Sequence, residues 1–160
     1  MSSGPSEMIL LSAGLIVAAL VSGVLLQTWD DMDDVLDERG KQGMEDVRTR
    51  ASLVNDPSNI AWDDTAKSVN LFIQNSGDTF LDLGTVGVML QGTSMTVEIA
   101  DGSEQWLPGQ TVQFTVTDES ASPLSFAEST DVMLSIAVSS DASTYSGSHT
   151  VTEEVRLVPS

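Results

Sequence analysis

Residues 8–26 read MILLSAGLIVAALVSGVLL, nineteen positions without a single charge. A helix needs roughly 20 apolar residues to cross the hydrocarbon core of a bilayer. No other feature constrains the fold as much: this stretch reads as a membrane-held helix, and the rest folds outside the bilayer. It differs from a secretory signal. Seven residues precede it, none of them Lys or Arg, and no small-x-small cleavage site closes it before Trp29. The helix is therefore expected to stay with the chain.

Over the whole chain, 24 acidic residues face six basic ones, a formal net charge of −18. Such a balance excludes nucleic acid, because neutralising phosphates takes clustered Lys and Arg, and it argues against an anionic lipid surface. Acidity at this level often accompanies disorder, yet 41% of the residues are apolar and many alternate as in strands. A folded acidic surface follows, one whose self-repulsion is relieved by salt. At 1 M the Debye length is only about 3 Å, so the composition suits a salt-loving host. There is no cysteine, hence neither disulfide nor thiolate metal site.

After the apolar run, Trp29, Met32, Leu36, Met44, Val47, Ala51 and Val54 lie close to one helical stripe, with charged and polar residues between them. This predicts an amphipathic stalk that carries the helix to about Val54, where Asn55-Asp56-Pro57 stops it. Such a rod would be ~70 Å long. Gly40 and Gly43 each cost about 1 kcal/mol against Ala, which makes that segment the place for a kink. From Pro57 the period changes to two. Short alternating runs at 69–73, 86–90, 95–99, 112–116, 132–138 and 151–157 are separated by Asn75-Ser76-Gly77-Asp78, Gln91-Gly92, Asp101-Gly102 and Pro108-Gly109. Six to eight short strands with turns between them predict an immunoglobulin-like β-sandwich. The expected class is α+β: a transmembrane and amphipathic helix over residues 1–55, then an all-β domain over 56–160.

Few side-chain sets suggest chemistry. Gly14, Ala18 and Ser22 recur at four-residue spacing, with Ala19 and Gly23 as a second pair. Small residues so spaced let two helix backbones approach inside a membrane, so this face is predicted to pack against another helix, although Gly and Ala are common in membrane helices generally. Glu7 opens the apolar run. It complements the helix dipole, with Ser6 as N-cap and Pro5 before it, or it pairs with a neighbouring subunit's N-terminus as in pilin-like filaments. Asp30, Asp33, Asp34 and Asp37 share a helical face but lack the spacing of a calcium loop. They read as a solvated band that stops the helix from sliding into the bilayer. His149 is the one histidine, and no Ser-His-Asp set, phosphate loop or metal-ligand group can be assembled around it. No catalysis and no cofactor is expected. Arg39 and Lys41, on the C-terminal side of the run, favour a cytoplasmic β-domain by the positive-inside rule.

Ser6-Glu7, Leu15-Ile16-Val17-Ala18-Ala19 and Gly23, then Arg39-Gly40, Arg48-Thr49 and the exit Val54-Asn55-Asp56-Pro57, occur in an order that resembles the archaellum stator protein family FlaG (ArlG). The first strands, at 69–73 with Asn75-Ser76-Gly77 and at 86–92, add to the likeness, which fades beyond residue 92. The resemblance implies a non-catalytic, single-pass protein of the cell membrane, with its β-domain between membrane and S-layer, against the orientation that charge counting favours. Its implied partners are a FlaF-type companion, an S-layer protein, and further copies through the N-terminal helix. Exposed edges of the sandwich would be the pairing sites. The residues after Asp118, rich in Ser, Thr and Asp, match nothing in the family.

Two other readings remain. A filament subunit, archaellin or type IV pilin-like, shares the long helix and the β-head. Its precursors carry a basic leader that is not seen here, and no Asn-x-Ser/Thr acceptor site is present. A tethered binding module for solute or carbohydrate would need a cleft lined by Trp62, Phe72, Phe80, Trp106, Phe114, Phe126 or Tyr145.

Overall fold

The computed structural model describes residues 3–160. Helix α1, Ser3–Arg48, precedes eight strands: β1 (Ala51–Leu53), β2 (Ile60–Asp63), β3 (Ser68–Asn75), β4 (Gly87–Leu90), β5 (Thr93–Ile99), β6 (Thr111–Thr117), β7 (Thr130–Ser139) and β8 (Ser148–Pro159). The chain divides into two compact units, Met1–Lys41 and Gln42–Ser160.

Three expectations about the helix change. Among the described residues it runs from Ser3, so Ser6 lies inside it and is not its N-cap. Pro5 falls in the first turn, where its missing N–H has no partner to lose. The first turn contains no acid, so Glu7 sits one turn further in. The backbone remains helical through Gly40 and Gly43, so the segment named as the place for a kink is not a break in the helix. The helix also ends at Arg48, not near Val54. Ala51 fits a period of two as well as one of 3.6, and ladder pairing decides between them: Ala51, Ser52 and Leu53 pair antiparallel with Asn75, Gln74 and Ile73 of β3.

The strands follow their alternation. In β3, Val69, Leu71 and Ile73 are buried while Asn70 and Phe72 are exposed, and β6 and β7 alternate in the same way. Gln91 and Gly92, both at positive φ (49° and 77°), make the two-residue turn that joins β4 to β5. Paired positive φ values suit the right-handed twist of a hairpin.

The class is α+β, as expected, but the two sheets of a sandwich are joined along both sides. In the order β3-β2-β8-β7-β4-β5-β6 each strand bonds the next, and the β3–β6 pair closes the ring. Two strands change partners to make the corners. Strand β5 pairs with β4 through Thr93, Ser94 and Met95, and with β6 from Thr96 to Ile99. Strand β2 pairs antiparallel with β3 through Trp62 and Asp63, and parallel with β8 through Ile60, Ala61 and Trp62. Closure removes edges, so most of the expected edge sites are occupied by ladders. Between β1 and β2 the side chain of Asn55 continues the pairing, accepting from Phe72 N at 2.6 Å and donating to Asn70 O at 3.1 Å.

Inside the barrel, Trp62, Trp106, Phe114, Leu71, Ile73, Leu134 and Ile136 are fully buried. Trp62 meets Phe126 edge-on at 5.1 Å, and Trp106 meets Phe114 at 5.3 Å. These four aromatic residues belong to the core.

Two carboxylates organise the stretch that resembled nothing, from Asp118 onward. Asp118 is 3% exposed and accepts from Leu124 N at 2.8 Å and Ser120 N at 3.0 Å. Asp64 accepts from Lys67 Nζ at 2.9 Å, Trp62 Nε1 at 3.2 Å, Ser125 Oγ at 2.9 Å and Phe126 N at 3.2 Å. The Lys67 ammonium, followed by the Trp62 and Ser125 donors, pulls the Asp64 pKa far below the carboxylate range. The Leu124 and Ser120 donors lower that of Asp118. A carboxylate stabilised in its charged form by several donors behaves in this way.

Candidate assembly surfaces

Every side chain of α1 from Gly4 to Lys41 is exposed, and the apolar segment is long enough to span a membrane with none of it buried in the molecule. Gly14, Ala18 and Ser22 succeed one another at one turn plus 40°, with Ala19 and Gly23 beside them. A Cβ built on Gly14 or Gly23 meets nothing within 4 Å. No neighbour in this chain therefore asks for a small residue at either position. Glu7 is likewise exposed.

Two features of the helix escaped the sequence reading. Ser12 Oγ donates to Met8 O at 2.8 Å, and Thr28 Oγ1 to Val24 O at 2.9 Å. Each hydroxyl returns its hydrogen bond to the preceding turn, which hides it from an apolar medium. The signal for both was a hydroxyl residue in or beside a charge-free helical run. Past Trp29, the residues Asp30, Asp33, Asp34 and Asp37 form an exposed band, while Met32, Val35 and Leu36 keep an apolar strip beside it. Among the described residues no group of His, Asp or Glu side chains is placed to hold a metal ion.

The last helical turns are built into the barrel. Gln42 Nε2 donates to Ser146 O at 2.5 Å, and Asp46 Oδ1 accepts from Ser148 N at 2.9 Å. Thr49 is fully buried and donates to Glu45 O at 2.7 Å. On the other side, Asp78 N donates to Arg48 O at 2.9 Å and Ser76 N to Arg50 O at 3.1 Å. Asn75, wholly buried, holds this turn by donating to Thr79 O and Trp106 O and accepting from Gly77 N. The helix exit is thus gripped between the turn at Gly77 and the loop at Gly147. A Cβ on Gly77 would stand 2.7 Å from Arg50 N, and one on Gly147 would stand 2.5 Å from the Glu45 carbonyl carbon. Close backbone approach is what requires glycine here. The Asn75-Ser76-Gly77-Asp78 turn was legible in the sequence; that it clasps the helix was not.

The geometry therefore offers an apolar helix surface with nothing of its own chain on it, and a barrel fastened to the end of that helix. A family model described as archaeal-type flagellin matches residues 2–152. No curated protein matches the chain. The match overturns the expectation of a stator component: the family spans the helix, the barrel and most of the stretch after Asp118 that the stator likeness left unexplained.

Proposed function

We propose that this chain, which belongs to the archaeal-type flagellin family, is the repeating subunit of an archaellum filament, its N-terminal helices bundled in the core and its barrels outside. The family is one of structural filament subunits. The observation that carries the reading here is the uncovered helix. Twelve large apolar side chains between Met8 and Leu26 are more than half exposed. At about 1.5–3 kcal/mol each, keeping them in water would cost roughly 20–35 kcal/mol, more than a domain's whole stability. They must be covered, first by the cell membrane and then by other copies of the same helix.

The small-residue face supports the second stage. Lipid tails are as apolar as Leu, so helices leaving a bilayer for a bundle gain from close packing and not from hydrophobicity. Gly14, Ala18 and Ser22, with Ala19 and Gly23, supply the close approach, and Glu7 lies at the bundle end, where its charge needs a partner from a neighbouring copy. The acidic band from Asp30 to Asp37 marks where the apolar core ends. A net charge of −18 suits assembly at high salt, where repulsion between neighbouring copies is screened.

Electron microscopy of filaments sheared from cells that carry the full chain tests this reading. Filaments should contain the chain as their dominant protein, and Gly14→Leu should abolish them while leaving the barrel's melting unchanged. A chain scarce in sheared filaments and abundant in the membrane would refute it.

A further inference from the structure

The stretch of α1 that follows the apolar run is two-sided. At about 100° per residue, Asp30, Asp33, Asp34 and Asp37 turn to one side of the helix, and Met32, Val35 and Leu36 turn to the other. These three apolar side chains are exposed. They floor a shallow groove of about 340 Å³ that Thr28 and Asp31 bound at one end and Arg39 at the other. The strip continues the small-residue face, since Met32 stands about five turns beyond Gly14, and Leu36 about five beyond Ala18. Its two ends are oppositely charged, and the chain answers neither charge. No acid lies three or four positions from Arg39, and no base three or four from Asp31. The ion pairs among the described residues leave both out. Lys41 is held by Asp37 at 3.2 Å, and the others join Arg48 to Glu45, Lys67 to Asp64 and Arg156 to Asp131.

We infer that Arg39 of one copy pairs with Asp31 on the helix of a neighbouring copy, and that this pair sets how far adjacent helices are shifted along the filament. The occupant of the groove follows from its two ends. An acidic partner would satisfy Arg39 and be repelled by Asp31, and a basic partner would do the reverse. A second copy of this helix brings an acid for the cation and a cation for the acid. Eight residues separate the two, so parallel helices meet through this pair when offset by about 12 Å. Eight residues also carry the chain about 80° past two full turns, so Arg39 and Asp31 look to different flanks of the strip. Each copy presents its Arg39 flank to one neighbour and its Asp31 flank to another. A contact between unlike surfaces propagates instead of closing on itself. A guanidinium suits the task, because it binds a carboxylate through two parallel hydrogen bonds while its hydrocarbon stem covers apolar surface. A pair shielded by apolar neighbours is also screened by salt much less than an exposed one. The inference rests on the filament-subunit reading and adds to it the register in which neighbouring helices pack.

Filaments sheared from cells that carry charge-reversed forms of the full chain test the pair. Arg39→Glu and Asp31→Arg should each lower filament yield about tenfold or more, because either one sets like charges together at every contact. The combined variant, Arg39→Glu with Asp31→Arg, restores opposite charges and should return the yield to that of the unmodified chain. Single variants that assemble normally would overturn the proposal. So would a combined variant that reaches the membrane and assembles as poorly as the single ones. Either result leaves the subunit reading standing, whereas absence of the unmodified chain from filaments would defeat both. An added Arg can alter how a helix enters the membrane. Where a variant fails to reach it, helical reconstruction of unmodified filaments by electron cryomicroscopy decides. The Arg39 guanidinium should lie within about 4 Å of a neighbouring copy's Asp31 carboxylate, with the two helices offset by about 12 Å. Arg39 in solvent or against a different group would overturn the proposal.

Discussion

Replacing Gly147 by Ala should loosen the barrel at the helix exit by an amount that can be worked from the geometry. Gly147 is not among the glycines at positive φ, so Ala is permitted by the backbone and the whole cost is space. Its Cβ would lie 2.5 Å from the Glu45 carbonyl carbon, and nearer still to that carbonyl's oxygen and to Thr49 Oγ1, where ordinary contact begins at 3.4 Å. About 1 Å must be found between two backbones, which amounts to overpacking at roughly 1–3 kcal/mol. The shift also pulls on the bonds from Gln42 to Ser146 and from Ser148 to Asp46, each worth about 0.5–1.5 kcal/mol. Because relaxation can trade one loss against the other, the expected destabilisation is about 2–4 kcal/mol, a fall in melting temperature of roughly 8–15 °C for a domain of this size. Near-ultraviolet dichroism of the full chain in non-denaturing detergent reads it, since Trp62 and Trp106 are buried in the barrel while Trp29 is exposed on the helix. Gly87→Ala is the control: its Cβ would meet Ala137 at a comfortable 3.9 Å, and reduced unfolded-state entropy should raise stability by about 0.4–1 kcal/mol. If Gly147→Ala melts with the unmodified protein, the helix exit is not packed against that loop and the reasoning fails.

Acid should unfold the barrel through Asp64, Asp118 and Asp101, whose pKa values are all held down by donors. A depressed folded pKa gives stability that is complete above the unfolded value, about 3.9 for Asp, and is lost as pH falls through the folded one. Melting temperature should therefore be flat from pH 7 to about 5 and drop below roughly pH 4. Asp64→Asn should start lower at neutral pH and lose less on acidification; an equal loss in both would remove Asp64 from the account. Raising NaCl from about 0.1 M to 2 M should raise the melting temperature, because screening relieves the repulsion of a −18 chain. A melting point unmoved by salt would count against a surface adapted to a saline setting.

How much of this was legible depends on the length of the signal. Strands β3, β6 and β7 repeat their alternation over seven residues or more, and each was readable. Strands β1 and β2, three and four residues long, offer one or two inward positions and no period. Their loss hid the closure of the barrel, because β2 is a corner strand shared by β3 and β8. Ala51 was assigned to the helix stripe because one apolar residue fits either period, and only its partner on β3 decides. Asp63 ends β2 and Asp64 follows it, two adjacent acids with no period of their own. The better clue was Asp64 three residues before Lys67, a pair that closes a turn and leaves the carboxylate free to collect the donors of the distant loop at Ser125 and Phe126.

The choice between stator and filament subunit was hidden for a different reason. Both roles need an apolar helix that leaves lipid or stays in it, and a β-head beyond. The residues quoted for the stator likeness lie mainly in these shared parts. What separates the roles is which surfaces meet other molecules, and a surface contact has no period and no motif. Gly14, Ala18 and Ser22 show the difficulty: small residues on a bare helix are equally suited to one partner helix or to a ring of them. The distinction enters only where the number of uncovered faces exceeds what a single partner can cover. Here the apolar side chains are exposed all round the helix from Met8 to Leu26, and a single partner helix would cover one side of it. A bundle of like helices covers every side, as the proposed filament core requires.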